Sequence, residues 1–407
     1  MRVSEKMLFD RMSSRLQQQS ASLLKLQEQV TGGKRINRPS DDPIGQAEVI
    51  RFEKSLESSD QYLRNIDRLS SFVSVSESAL QTVQDQLVRA RSLAVQGANA
   101  TNTAADRAII AQELRQIYDQ LIAVANTNHE GAYVFAGDEI QTQPFVNQGF
   151  YTGTDISGAL PLTVTLGTND TLTLSIDGVS STITLTAGAY ATGAALATEI
   201  QTQIAADTTF QNANVSAAVT FNSSNQLVLT SNAVGGTSAV TPTAGTAQAA
   251  LGLSAGTSRP AGTYLGDSAE NALLIGDNIR VAKNLPGDRL FKGAGGGTDV
   301  FAVVAALQSA LESNSVTGIQ TALGNFTGVE DGVSNERALL GARLNRADTT
   351  AATLEAFKLT VSRIKSETED IDLPTVITEL SLQETALEAT RAVSAQILQR
   401  SLLDFLR

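Results

Sequence analysis

FDRMSSRLQQQSASLLKLQEQV, residues 9–30, is the stretch on which the fold turns. Taken in alternating steps of three and four, Phe9, Met12, Leu16, Gln19, Leu23, Leu26 and Val30 form one line that is apolar except at Gln19. Ser, Gln, Arg, Lys and Glu fill most positions between them. Such a line is a heptad seam, the mark of a helix that buries one narrow stripe against another helix. The other end of the chain repeats it with Leu373, Val376, Leu380, Leu387, Thr390 and Ile397, and the stripe then drifts to Leu398, Leu402 and Phe405. A lone amphipathic helix is marginal in water, because nucleation is costly and its stripe has nothing to bury against. The two ends are therefore expected to pair with each other, or with copies of themselves in neighbouring chains. Gln19, Gln383, Thr390, Ser394 and Ser401 fall on the seams, a thin core for a monomer that favours assembly over a plain bundle.

Helical signals continue inward. The first helix, about 3–30, stops at Thr31-Gly32-Gly33, and a polar turn leads to Asp42-Pro43, an N-cap followed by proline at the first helical position. Asp41 and Asp42 also sit near the positive end of the helix that starts there. That second helix, about 43–96, carries the stripe Leu63, Ile66, Ser70, Val73, Ser76, Leu80, Val83, Leu87, Ala90 and Ala94. Thr103 and Asp106 have capping-box spacing and open a third helix, with Ile110, Leu114, Ile117, Leu121 and Val124 on one line. Two long helices joined by a short polar link make an antiparallel hairpin.

The period then changes. Gly131 to Gly137, with Pro144-Phe145 beyond, predicts a short β-hairpin. From about 150 to 264 the chain is rich in Thr, Ser and Gly. Strands are expected at 162–166, 172–176, 183–185, 215–221 and 227–230, with a turn at Asp177-Gly178 and a helix at about 193–206. Gly235 to Gly262 suggests loose turns. A strand-like stretch at 273–281 precedes helices expected at about 300–311, 317–326, 335–370 and from Leu373-Pro374 onward. The expected fold class is mainly α: an elongated rod of long antiparallel helices with paired terminal coiled-coil segments, plus an inserted α+β outer domain. The expected division is 1–42 with 371–407 as terminal segments, disordered in the monomer; 43–150 with 265–370 as the helical core with its β-hairpin; and 151–264 as the insert.

Composition narrows the function. A formal charge of −12 over 407 residues argues against nucleic-acid binding, which depends on neutralising phosphates. No Lys or Arg occurs between Arg115 and Arg259, so the insert presents a weakly acidic face. Aromatics are 5% with no Trp, which disfavours a deep aromatic pocket. No segment approaches the roughly 20 apolar residues of a membrane span, and the first ten residues lack the features of a cleaved signal peptide. The expected location is the cytosol, or outside the cell by a route that reads no cleaved signal. His129 is the only histidine and there is no cysteine, so no metal or cofactor is expected. Asp41/Asp42 and Asp138/Glu139 fit helix starts and turns better than acid/base pairs. No serine lies in a G-x-S-x-G elbow, and the glycine-rich turns lack P-loop spacing. No catalytic residue is expected.

Thr31-Gly32-Gly33-Lys34-Arg35-Ile36-Asn37-Arg38-Pro39-Ser40-Asp41-Asp42-Pro43 resembles the signature that follows the first helix in the flagellin family. Arg35, Ile36, Asn37, Pro39, Ser40, Asp41, Asp42 and Pro43 carry that likeness, in the form found in the family's junction proteins, which sit between hook and filament. Tyr133, Phe135 and Gly137 are similar to those proteins' G-x-Y-x-F-x-G hairpin, and Ser401 to Leu406 to their closing run. Leu227–Ser231 and Ala250–Leu253 resemble, more weakly, the family's hook insertion motif. The likeness covers about residues 1–150 and 265–407. It implies a non-enzymatic structural adaptor exported unfolded through the flagellar type III channel. It further implies a homo-oligomeric ring, contacts to hook-associated protein 1 and to flagellin, and a cytosolic export chaperone at the C-terminal region. The insert departs from the pattern: it is Thr/Ala-rich and loosely patterned where junction proteins often carry a compact outer domain. Two other expectations stand beside the adaptor: an adhesin acting through the insert, and a filament flagellin.

Overall fold

The computed structural model describes residues 2–294 and 296–405; residues 2–6, 8, 9 and 396–405 are described as backbone alone. Its helices are α1 (Arg2–Gly32), α2 (Pro43–Gly97), α3 (Ala104–Ala125), α4 (Gly193–Ala206), α5 (Thr208–Ala213), α6 (Gly287–Phe291), α7 (Val300–Glu312), α8 (Val316–Glu369) and α9 (Leu373–Phe405). The chain forms two compact units, one from residues up to 65 together with those from 349 onward, the other from 66–348. The fold is mainly helical, with long terminal helices and a β-rich insert between them.

In the first unit α1 packs against α9. The opening turns of α2 meet the closing turns of α8 through Glu53–Lys365 at 2.8 Å and an Asp60–Lys358 pair. The C-terminal part of α2 in the second unit is held to α8 by Glu77–Arg337 and Arg91–Glu330, both 2.6 Å, and to α3 by Arg89–Glu113 at 2.5 Å. Arg115–Glu312 at 3.2 Å joins α3 to α7. Apolar stripes fill the space between: Val73, Leu80, Val83, Leu87, Leu114, Leu121, Val304 and Leu307 are all fully enclosed. The predicted capping box is present, with Thr103 N donating to Asp106 Oδ2 at 2.9 Å and Asp106 N to Thr103 Oγ1 at 3.3 Å.

Three local expectations change. Helices expected at 317–326 and 335–370 are one, α8. Gly328 and Gly332 disfavour a helix by roughly 1 kcal/mol each relative to Ala. Phe326, Val329 and Val333 nevertheless keep stepping onto the enclosed face, so packing outweighs propensity. The hairpin lies earlier than expected, between β1 (Asn128–His129) and β2 (Ala132–Tyr133), and turns at Glu130-Gly131, both with positive φ. Phe135 and Phe145 lie outside it and are buried instead.

The third change is in the insert. Its strands are β3 (Phe150–Thr152), β4 (Leu162–Val164), β5 (Thr171–Ile176), β6 (Val179–Thr184), β7 (Gly188–Tyr190), β8 (Ala217–Phe221), β9 (Leu227–Ser231), β10 (Val240–Ala244) and β11 (Thr257–Arg259); β12 (Ala272–Gly276) and β13 (Ile279–Ala282) form a hairpin after it. All pairings are antiparallel, in orders β11-β3-β9-β8, β10-β5-β6 and β4-β7. Alternation in β5 points Leu172, Leu174 and Ile176 inward and Thr outward, and Asp177-Gly178 makes the expected turn into β6. The run from Gly235 to Gly262 is not loose. It supplies β10 and β11, and Val240, Leu251 and Leu253 enter a core shared with Leu196, Ile200, Phe210 and Leu229. The insert thus has a packed core of its own, to which the run expected to be loose contributes.

Two connecting strands tie the insert to the helices. Val146 N donates to Thr263 O at 3.2 Å, Gly262 N to Val146 O at 2.8 Å, and Leu265 N to Pro144 O at 2.7 Å. The loop at 233–238 lies against α3 and α7; a Cβ at Gly236 would come within 2.6 Å of Ala305 Cβ and 2.9 Å of the Tyr118 ring. Only glycine lets the backbone approach so closely there.

Candidate assembly interface

The seam of α1 is only half covered. Met12, Leu16, Leu23, Leu26 and Val30 are all partly exposed, as are Val376 and Leu380 on α9; Leu387 is buried, whereas Leu373 is 47% exposed. Phe9, Ile397, Leu398, Leu402 and Phe405 lie outside the described side chains. Polar seam residues turn to their own helix: Thr390 Oγ1 donates to Ala386 O at 2.7 Å and Ser394 Oγ to Thr390 O at 2.6 Å. Gln19 differs: its side-chain oxygen is enclosed and, among the described residues, without a hydrogen bond. An enclosed acceptor left unmade is unfavourable, which suits a position that awaits a donor. A groove of about 920 Å³ opens between the two helices, lined by Met7, Met12, Arg11 and Arg15 on one side and Thr390 and Val393 on the other.

The signature after α1 is a structural joint. The helix closes at Gly33, with φ +68°. Lys34 then forms an antiparallel bridge to Asp370, Arg35 N donates to Glu369 O at 2.6 Å, and Ile371 N donates to Gly33 O at 3.2 Å. Lys34 pairs with Glu369 at 2.5 Å, and the Arg35 guanidinium reaches Thr368 O at 2.8 Å. Ile36 is the buried plug, 3% exposed. Asn37 Nδ2 donates to Lys34 O at 3.2 Å, while Pro39 and Ser40 are exposed in the turn. The two acids divide the work. Asp41 accepts from Arg38 N at 3.0 Å and pairs with Lys25 at 3.1 Å; the Lys25 bond first, then the Arg38 amide, hold its pKa below the ordinary value. Asp42 Oδ1 caps α2 by accepting from Gly45 N at 2.9 Å, just before Pro43; that bond, with Arg35 nearby, lowers its pKa too. Neither acid is placed as a catalytic base.

The second signature group anchors an aromatic cluster. The Phe135 ring stands edge-on to Phe291 at 5.4 Å; Phe145 contacts Phe291, Phe301 and Tyr264 at 5.1 Å each. Tyr264 Oη donates to Phe135 O at 2.9 Å. Gly137, at φ +74°, lies so close to Asp267 that a Cβ would collide with it. Tyr133 is half-buried beside this knot. Sequence reasoning missed Tyr118, Tyr264, Phe291 and Phe301, although the rarity of aromatics was a usable signal. His129 is partly buried in β1, with Nε2 3.2 Å from Ser71 Oγ and its ring edge-on to Phe72. Among the described residues, no cluster of His, Cys, Asp or Glu could hold a metal, and no helix is long and apolar enough to cross a membrane.

Residues 3–142 match the bacterial flagellin N-terminal helical region and residues 323–406 the bacterial flagellin C-terminal helical region, together more than half of the chain. The chain belongs to the flagellin family. Both matched regions lie outside the insert. The chain is 34% identical over 146 residues to flagellar hook-associated protein 3 of Salmonella typhimurium, covering 36% of this chain and 46% of that one. It is 36% identical over 107 residues to the flagellar filament 41 kDa core protein of Borreliella burgdorferi, covering 26% and 32%. The match thus spans about half or less of the length of these curated relatives. A solved putative flagellar hook-associated protein from Vibrio parahaemolyticus aligns over 81% of this chain and 100% of its own at 15% identity and a TM-score of 0.49, too low to carry the arrangement of parts across. By their names these relatives are components of the flagellum, as is the flagellin family itself, and none is named as an enzyme.

Proposed function

We propose that this flagellin-family chain is a non-enzymatic structural adaptor at the junction of flagellar hook and filament. The observation that carries the reading is the half-covered α1/α9 pair, with an open groove and an enclosed acceptor at Gln19, in a chain similar to hook-associated protein 3. Neighbouring copies in a ring complete the seams, and each apolar Å² so covered contributes about 25 cal/mol. The signature joint fixes the direction in which α1 and α9 leave the rest of their unit. Residues 1–42 and 371–407 act as assembly segments that order on incorporation, 43–150 and 265–370 as the supporting core, and 151–264 as an outer domain. Hook-associated protein 1 and flagellin lie on either side of the ring. A cytosolic chaperone covers the C-terminal region before export. Electron microscopy of cells lacking the gene tests the junction role: hooks without filaments, with flagellin released to the medium, are expected. Normal filaments would contradict it.

The similarity to a filament core protein favours a second reading, a filament subunit. Under that reading the purified chain polymerises alone into long filaments; under the first it does not.

A further inference from the structure

Asp119 is left over from the packing of α3. It is partly buried, and among the described residues its carboxylate makes no hydrogen bond or ion pair. The nearby cation, Arg115, is committed to Glu312 at 3.2 Å. Burial raises the Asp119 pKa above the ordinary value, and Arg115 opposes that shift only in part. A carboxylate partly removed from water and unpaired is unfavourable, and a cation brought to it would relieve the cost.

The space beside it has a defined chemistry. Asp119 lines a groove of about 450 Å³ whose apolar wall is Ile122, Ala123 and Val234. Around the rim stand the Tyr133 hydroxyl and the Asn147 amide, neither hydrogen-bonded among the described residues, and Gln143, whose Oε1 accepts nothing. Asn126, also at the wall, is by contrast locked to the backbone of Phe145 by two bonds of 2.9 Å. An adjoining hollow of about 250 Å³ shares Gln143 and Asn147 and lengthens the trough. An apolar trough ending in a carboxylate, with free oxygens around it, matches an aliphatic stem with a cationic head. A guanidinium, with five donors in a fixed fork, uses those oxygens better than an ammonium does.

Among the described residues, no Lys or Arg side chain pairs with Asp119. No Lys or Arg occurs between Arg115 and Arg259, and Arg259 is itself held over the Phe150 ring at 5.9 Å. Elsewhere the chain carries arginines that are exposed and unpaired among the described residues, such as Arg51 and Arg68 on α2. We infer that the Asp119 groove receives an arginine side chain from a second copy of this chain. The inference rests on the assembly reading above and adds to it a contact outside the terminal seams.

Two measurements on the full chain test it. Backbone NMR follows Asp119, Ala123 and Asn147 during titration with N-acetyl-arginine amide, against the neutral isostere N-acetyl-citrulline amide. Saturable shifts for the arginine derivative, at least about tenfold weaker for citrulline and lost in Asp119→Asn, are expected. Equal responses to both probes would overturn the cationic assignment. Sedimentation then compares self-association of the wild-type and Asp119→Asn chains, an isosteric change whose fold is checked by its melting curve. Association about tenfold weaker is expected. If Asp119→Asn associates as the wild type does, the groove contact is refuted while assembly stands. If the wild type never associates, the assembly reading fails and the second-copy occupant fails with it.

Discussion

One spacing runs through α1 and α9 and through α2, yet the two regions bury it to different depths. Along α2, Leu69, Val73, Leu80, Val83 and Leu87 are 0% exposed. Along α1, the equivalent line from Met12 to Val30 is half open, and Leu24 and Leu382 beside the seams are 64% and 66% exposed. The difference lies in what surrounds each helix. α2 is met by α3 and α8, whereas α1 is met by α9 and then by a groove. A heptad pattern thus states that a stripe will be covered; it does not state by which chain.

The largest expected effects set the two regions against each other. Phe301→Ala should lower stability by about 3–5 kcal/mol, because three aromatic rings, Tyr118, Phe145 and Phe291, lose a fully enclosed partner. Leu23→Ala should change the dilute chain by under about 1 kcal/mol, since its seam is half open, yet should weaken association more than tenfold. Urea unfolding with sedimentation measures both, and equal costs in the dilute chain would break the comparison. Gly236→Val should cost about 1–3 kcal/mol by forcing a side chain into Ala305 and Tyr118. Faster proteolysis within 143–149 would show the insert loosened from α3 and α7. Thr103→Ala should cost about 1 kcal/mol by removing one half of the α3 capping box, read as a shift in the urea midpoint.

The smallest effects are pH-dependent and opposite in sign. The lowered pKa of Asp42 makes its contribution present above its ordinary value of 3.8 and lost as pH falls through the folded value. Proteolysis at 33–42 should therefore accelerate as pH drops below 3.8. The raised pKa of Asp119 works the other way: its penalty is absent below 3.8 and grows as pH rises through the folded value. Asp119→Asn should thus be slightly more stable than the wild type at neutral pH and no more stable in acid. Melting curves across pH check the sign.

The sequence made α1, α2, α3 and α9 legible because period is a local property, and Asp42-Pro43 and Thr103-Asp106 because caps are local chemistry. It also placed α4 and the β5–β6 turn. It did not show that β10 and β11 complete the insert core. There Leu251 and Leu253 are isolated in Ala, Thr and Gly, so alternation is too faint to count. The break expected between 326 and 335 is absent because the packing of Phe326, Val329 and Val333 outweighs the low helix propensity of Gly328 and Gly332. Within the signature, Asp42 as a cap could be read directly, but the pairing of Lys34 and Arg35 with residues 368–370 is long-range. The unpaired state of Asp119 is also tertiary: only the fold commits Arg115 to Glu312 and leaves the neighbouring acid alone.

Hydrogen exchange on the full chain, dilute and then concentrated to association, tests the central claim most directly. Amides of α1 and α9 should exchange far faster than those of 69–94 in the dilute chain and approach their protection once copies associate. Protection of α1 and α9 equal to that of 69–94 in the dilute chain would contradict the account.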